Sequence, residues 1–138
     1  MTPVIAPVAA TVEPRESLVR LTHVIYGLHA ASLVTGIVGV ATVVGAFLIG
    51  WPSLIAVILN YAKRSEVRGT WLESHFRWQI RTFWFGLLWA ALCVLFVVST
   101  LGVGLLIAWV PLGFLGLWFI YRIARGWLRL MDRLPMYQ

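Results

Sequence analysis

Apolar residues fill two long tracts of the chain, and polar ones gather in three blocks around them. The first tract, Leu21–Ala62, runs 42 residues without a formally charged side chain, and the second, Thr82–Tyr121, runs 40. A bilayer core of about 30 Å takes about 20 helical residues to cross, so each tract has the length of two crossings. Neither tract alternates apolar and polar positions as a barrel strand would. Backbone amides in lipid must be paired within their own segment, which makes the crossings helices. The pattern therefore predicts an all-α, polytopic membrane protein with four transmembrane helices in two hairpins.

The boundaries follow from the same pattern. Residues 1–16, with Pro3, Pro7 and Pro14, read as a flexible tail, and residues 17–136 as one four-helix membrane domain. Within it the expected units are a hairpin over 17–64, an amphipathic loop helix over 65–81 that feeds into a third helix starting at about Trp71 or Thr82, a second hairpin over 82–124 and a basic juxtamembrane helix over 122–134. The first hairpin has two candidate turns. One is at Gly36 and Gly39, which makes Pro52 a kink. The other is at Gly50-Trp51-Pro52, where Gly suits a helix C-terminus and Pro a first turn, leaving a short second helix of about Pro52–Arg64. In the second hairpin, Leu101-Gly102-Val103-Gly104 is the natural turn, and Pro111 falls inside the last helix, where its missing N–H is expected to kink it.

Charge sets an orientation. The chain has 11 Lys and Arg against 5 Asp and Glu, a net charge of +6, and 61% hydrophobic residues with a mean hydropathy of +0.90. Typical soluble domains are about 45–50% apolar and about 25% charged, which excludes a soluble enzyme as the default class. The cations lie in the N-terminal segment, the central loop and the C-terminus, and none lies in either hairpin turn. By the positive-inside tendency all three basic segments belong in the cytoplasm, with both termini inside. Residues 1–12 lack a basic start, so no cleaved signal peptide is expected. Trp51 and Trp109 then fall near the far interface and Trp71, Trp78 and Trp127 near the cytoplasmic one, as in an aromatic belt.

The most distinctive stretch is Arg64–Arg81. At 100° per residue, Glu73, Arg77 and Arg81 share an arc of about 80°, with Glu73 and Arg77 a favourable i,i+4 pair. His75 and Gln79 lie one turn apart inside the opposite, apolar arc. Polar side chains aimed into a bundle need partners, and Asn60 and Tyr61 at the end of the second helix are candidates. The four residues form either a structural hydrogen-bond network or a proton-linked or ligand-contacting site. His23 and His29, six residues apart, are separated by about 120° around their helix and do not easily share one metal, which leaves each as a lone ligand to a haem or pigment or as a packing residue. The lone Cys93 reads as a small buried hydrophobe.

Two helix faces complete the inventory. Gly27, Ala31, Thr35 and Gly39 recur every four residues, a small-residue stripe that permits close helix approach, either within the bundle or between copies. Arg122, Arg125, Arg129 and Arg133 form a basic stripe suited to anionic lipid headgroups. The chain has no glycine-rich phosphate loop and no paired histidines at metal spacing, and few candidates for acid–base chemistry. The spans hold no carboxylates of the kind that coupled transporters use. The expectation is a protein that is not an enzyme, carries no metal or cofactor and does not bind nucleic acid. Its partners are the lipid bilayer and either other membrane subunits or itself.

The run Asn60-Tyr61-Ala62-Lys63-Arg64, the run from Val67 to Trp84 (VRGTWLESHFRWQIRTFW) and the ending Trp118–Leu130 (WFIYRIARGWLRL) resemble the Tic-twenty-like family. These are small proteobacterial inner-membrane proteins of unknown function, grouped with a chloroplast inner-envelope import component. The resemblance covers about residues 17–136, although the first hairpin here is longer than the family pattern. It implies four helices in a bacterial inner membrane. Three functions are then in play. The first is an accessory subunit or homo-oligomer acting through helix packing. The second is a pore or translocation component, by analogy with the plastid relative. The third is a cofactor-carrying subunit using His23, His29 or His75.

Overall fold

The computed structural model describes residues 12–39 and 51–136. Among them the chain forms four helices: α1, Glu16–Gly39; α2, Trp51–Lys63; α3, Leu72–Ser99; and α4, Leu105–Met131. Residues 1–11 of the expected tail and the connection between the first two helices, including Gly50, lie outside the described residues. Gly36 lies within α1, not at its end.

Local chemistry explains most of the helix boundaries. Glu16 sits in the first turn of α1, where a carboxylate favours the helix dipole. Pro52 sits in the first turn of α2, and Lys63 in its last. Residues 64–69 are turns, closed by Gly69 at φ +75°, and Thr70 then bridges to Val12. Glu73 begins α3 by reaching back to accept the Gly69 N–H at 3.0 Å. At the far end of α3, Leu101 adopts φ +52° and Gly102 φ +88°. The Gly102 N–H meets the Val97 carbonyl and the Leu101 N–H that of Val98, a Schellman turn that satisfies the last carbonyls.

Two expected elements join their neighbours. Of the two starts open to the third helix the structure takes the earlier: α3 runs unbroken from Leu72 to Ser99, so the amphipathic residues from Leu72 to Arg81 are its first turns, and residues 65–71 are not helical. The basic segment after Arg122 is likewise the continuation of α4. No proline interrupts either stretch. Residues 12–15 are not a free tail either. The Val12 N–H bonds the Gly69 carbonyl at 3.3 Å, the Trp71 indole donates to Glu13 at 3.4 Å, and Arg15 pairs with Glu66 at 2.5 Å.

At 1.5 Å per residue, α3 with 28 residues and α4 with 27 are about 40 Å long. Both are long and apolar enough to cross a membrane, with mean hydropathy 2.1 and 1.7 over their apolar stretches. Only 11% of each stretch is buried within the chain. Helix α1 packs against α2 and α4, and α3 packs against α4. The core sits at one end of the bundle, built from Leu18, Ile25 and Tyr26 of α1, Ala56 of α2, Leu72 and Phe76 of α3, and Ile123 and Leu130 of α4, closed by Val67 and Trp71 of the loop. That end also gathers the described charged residues and is called here the basic end. Beyond Gly86 no residue of α3 is buried, and Trp84, Leu88, Leu95, Ile107, Trp109 and Leu117 are among the exposed apolar side chains.

Candidate functional site

A line of polar residues crosses the core near the basic end. Helix α3 contributes His75, Gln79 and Thr82, at positions i, i+4 and i+7 of one helix face, all three buried. Helix α1 contributes Thr22, Tyr26 and His29 on its own buried face. Helix α4 contributes Arg122 and Trp127.

His75 is the junction. Its Nε2 lies 2.8 Å from the Leu134 carbonyl and its Nδ1 3.0 Å from the Tyr26 hydroxyl. A carbonyl only accepts, so Nε2 carries the proton, and in the neutral ring Nδ1 accepts from the Tyr26 O–H. The Tyr26 and Trp71 rings both meet the imidazole edge-on, at centroid distances of 6.0 and 5.7 Å. The chain reaches His75 because Arg133, at φ +53°, reverses it after α4 in a second Schellman turn. The segment then lies back along α3, where the Met136 N–H donates to the Ser74 hydroxyl at 2.8 Å.

The other two histidines are placed apart. The Trp127 indole donates to His23 Nδ1 at 3.0 Å, and Trp127 stacks on Tyr26 at 6.4 Å. His29 Nδ1 shares a 3.1 Å hydrogen bond with the Ser53 hydroxyl of α2, while the Ser53 N–H donates to Ser32 at 2.9 Å. Among the described residues, no three of His, Cys, Asp or Glu converge as a metal site would require.

Of the four residues expected to form one network, the structure joins none to another. His75 pairs with Tyr26 and Leu134, residues 49 and 59 positions away. Tyr61 is exposed and accepts the Trp84 indole N–H at 3.0 Å. Asn60 is fully buried and Gln79 is 1% exposed, and neither amide has a partner among the described residues. The sequence reading gave Tyr26 and Thr82 no site role and named Trp127 only for the aromatic belt. Thr82 continues the His75–Gln79 face, and Thr22, Tyr26 and His29 recur at helical spacing, so a helical projection of α1 beside that of α3 would have exposed both.

Arg122 turns inward. Its guanidinium lies 3.4 Å from the Trp78 ring centroid, its Nε donates to Thr82 Oγ1 at 2.9 Å, and its Nη2 donates to the Trp78 carbonyl at 3.3 Å. The Trp78 indole returns a bond to the Arg122 carbonyl at 3.0 Å. This reciprocal clamp ties α3 to α4. Elsewhere in the basic stripe, Arg125 bonds the Tyr121 hydroxyl, Arg129 the Pro135 carbonyl and Arg133 the Glu16 carboxylate. Trp71, Trp78 and Trp127 point their indole N–H groups at the Glu13 carboxylate, the Arg122 carbonyl and His23.

The small-residue stripe is divided. Gly27 faces Trp127 of α4, whereas Ala31 and Thr35 are exposed and the Thr35 hydroxyl bonds back to its own helix. Gly39 is the last residue of α1. Cys93 is a free thiol, half-buried on α3. In the loop, both oxygens of Glu66 are engaged, by Lys63 at 2.6 Å and Arg15 at 2.5 Å. The Lys63 hydrogen bond is the main cause holding its carboxyl below the usual range. The chain matches no known protein family, curated protein or solved structure.

Proposed function

We propose that the chain is a non-enzymatic, four-span protein of a bacterial inner membrane, with both termini cytoplasmic. It acts through helix packing, as an accessory subunit of a larger membrane complex or as a homo-oligomer. The observation that carries this reading is the bareness of the α3–α4 hairpin. Its apolar surface is left almost wholly uncovered by the chain itself, more than water tolerates on a stable monomer. Lipid and neighbouring helices are the surroundings that accept such a surface. The gathering of cations at one end of the bundle supports the orientation, and the resemblance to Tic-twenty-like proteins supports the membrane.

Native mass spectrometry after mild-detergent extraction tests the packing role. The expected result is a defined oligomer or a copurifying membrane subunit, and a strict monomer with nothing attached would overturn it. Orientation is tested separately on a Cys93→Ser background. A membrane-impermeant thiol reagent added outside the inner membrane should label Val103→Cys and spare Arg68→Cys. The reverse pattern, or equal labelling, would reject the topology.

A further inference from the structure

Arg122 is a half-buried cation held by neutral groups. Its guanidinium meets the Thr82 hydroxyl, the Trp78 carbonyl and ring, and the Trp118 ring at 5.2 Å from the centroid. Arg81, the residue before Thr82 on α3, lies close enough for its charge to repel that of Arg122. Arg125 follows one turn after Arg122 on α4, against the Tyr121 hydroxyl. Near these three cations the chain supplies no counter-charge. Helix α4 has no acid, and the one acid of α3, Glu73, pairs with Arg77 two turns before Arg81. Glu16 and Glu66 are engaged by Arg133, Lys63 and Arg15. A concentration of positive charge without acids favours an anion from outside the chain.

Depth says which anion. Beyond Arg81 and Arg122 the hairpin is free of charge, over Phe83–Ser99 of α3 and Leu105–Tyr121 of α4, 17 residues each. At 1.5 Å per residue each run is about 26 Å long, near the ~30 Å of a bilayer core. With the hairpin in a bilayer, both arginines stand at the level of the headgroup phosphates of one leaflet.

We propose that the α3–α4 seam at Arg81 and Arg122 is a binding site for the phosphate of one anionic phospholipid. Guanidinium groups suit this ligand, because their planar forks match phosphate oxygens. The acyl chains lie along the exposed apolar surface of the same hairpin, which includes Leu88 and Leu117. A zwitterionic headgroup is disfavoured, since its ammonium would be repelled by the same cations. Inorganic phosphate carries the anionic group but covers none of the apolar surface. The site rests on the membrane reading proposed above.

Native mass spectrometry of the full chain in mild detergent tests it, with phosphatidylglycerol, phosphatidylcholine or inorganic phosphate added. One phosphatidylglycerol should be retained per chain where phosphatidylcholine is lost, and inorganic phosphate should not displace it. Arg81→Gln should weaken that retention about fivefold, the effect of one arginine near a membrane surface. Arg68→Gln removes an equal charge from the loop and should leave retention unchanged. Equal retention of the two lipids overturns the proposal, as does displacement by inorganic phosphate or equal weakening by both variants. Should Arg81→Gln fail to fold, the lipid preference of the unaltered chain decides the matter. The membrane reading fails by a different sign, recovery of the chain in the soluble fraction of lysed cells without detergent.

Discussion

The Tyr26 phenol occupies the space that a side chain at Gly126 would fill. A Cβ built on Gly126 collides with the Tyr26 hydroxyl and ring. The phenol cannot retreat easily, because His75 holds its hydroxyl and Trp127 stacks on its face. Gly126→Ala should therefore destabilise the fold by about 1–3 kcal/mol, the usual cost of overpacking a filled core. Gly113, on the same helix, has open space where its Cβ would go. Gly113→Ala should stay within about 0.5 kcal/mol of the unaltered protein. Unfolding in mixed detergent, followed by tryptophan emission, distinguishes the two.

The hydrogen bond between Tyr26 and His75 should be measurable as a coupling. Tyr26→Phe removes the hydroxyl and leaves His75 Nδ1 buried without a donor, costing about 1–3 kcal/mol. A double-mutant cycle with His75→Phe should give an interaction energy of about 0.5–3 kcal/mol. Additive losses would mean that the two side chains contribute independently.

Arg122 should not tolerate its nominal equivalent. Arg122→Lys keeps the charge but loses the planar fork that reaches Thr82 and the Trp78 carbonyl together. It also weakens the stack on Trp78, for an expected loss of about 1–2 kcal/mol. A change in near-ultraviolet circular dichroism, reporting Trp78, should accompany that loss of stability.

Acid should loosen the tie between the N-terminal segment and the loop. Lys63 and Arg15 hold the Glu66 carboxyl below its usual pKa. A carboxylate whose pKa falls on folding stabilises the fold above the ordinary value of about 4.3. It loses that contribution as pH drops through the lowered folded value. The pair is exposed, so the effect is small. Glu66→Gln should be the less stable protein near neutral pH, and the difference should vanish in acid. Thermal melts of the two proteins across that range provide the comparison.

The limits of the sequence show most clearly at α3. Its apolar periodicity and the turn at 101–104 were legible because each rests on neighbours in the chain. So was the inward position of His75 and Gln79, which helical geometry sets once the polar face is known. Their partners were not legible. Asn60 and Tyr61 were the natural choice because they flank the same loop, yet His75 bonds Tyr26 and Leu134. Leu134 arrives only because Arg133 takes a left-handed conformation, for which its residue type carries no signal. The partners of the tryptophans were hidden for a related reason. Near a membrane surface, an indole can face lipid or a buried acceptor, and both choices satisfy the same composition.

Chain-local physics thus dictated the helical class, the two long apolar helices, the hairpin turn between them and the clustering of charge at one end. These depend on length, periodicity and backbone chemistry, which are properties of consecutive residues. Packing decided the rest: that Gly126 admits Tyr26, that Arg122 clamps Trp78, and that His75 meets Tyr26 and Leu134. Such contacts depend on the rotation of each helix about its axis and on its depth beside its neighbours. Those quantities are set jointly by side chains far apart in the chain, and the three-dimensional fold alone expresses them.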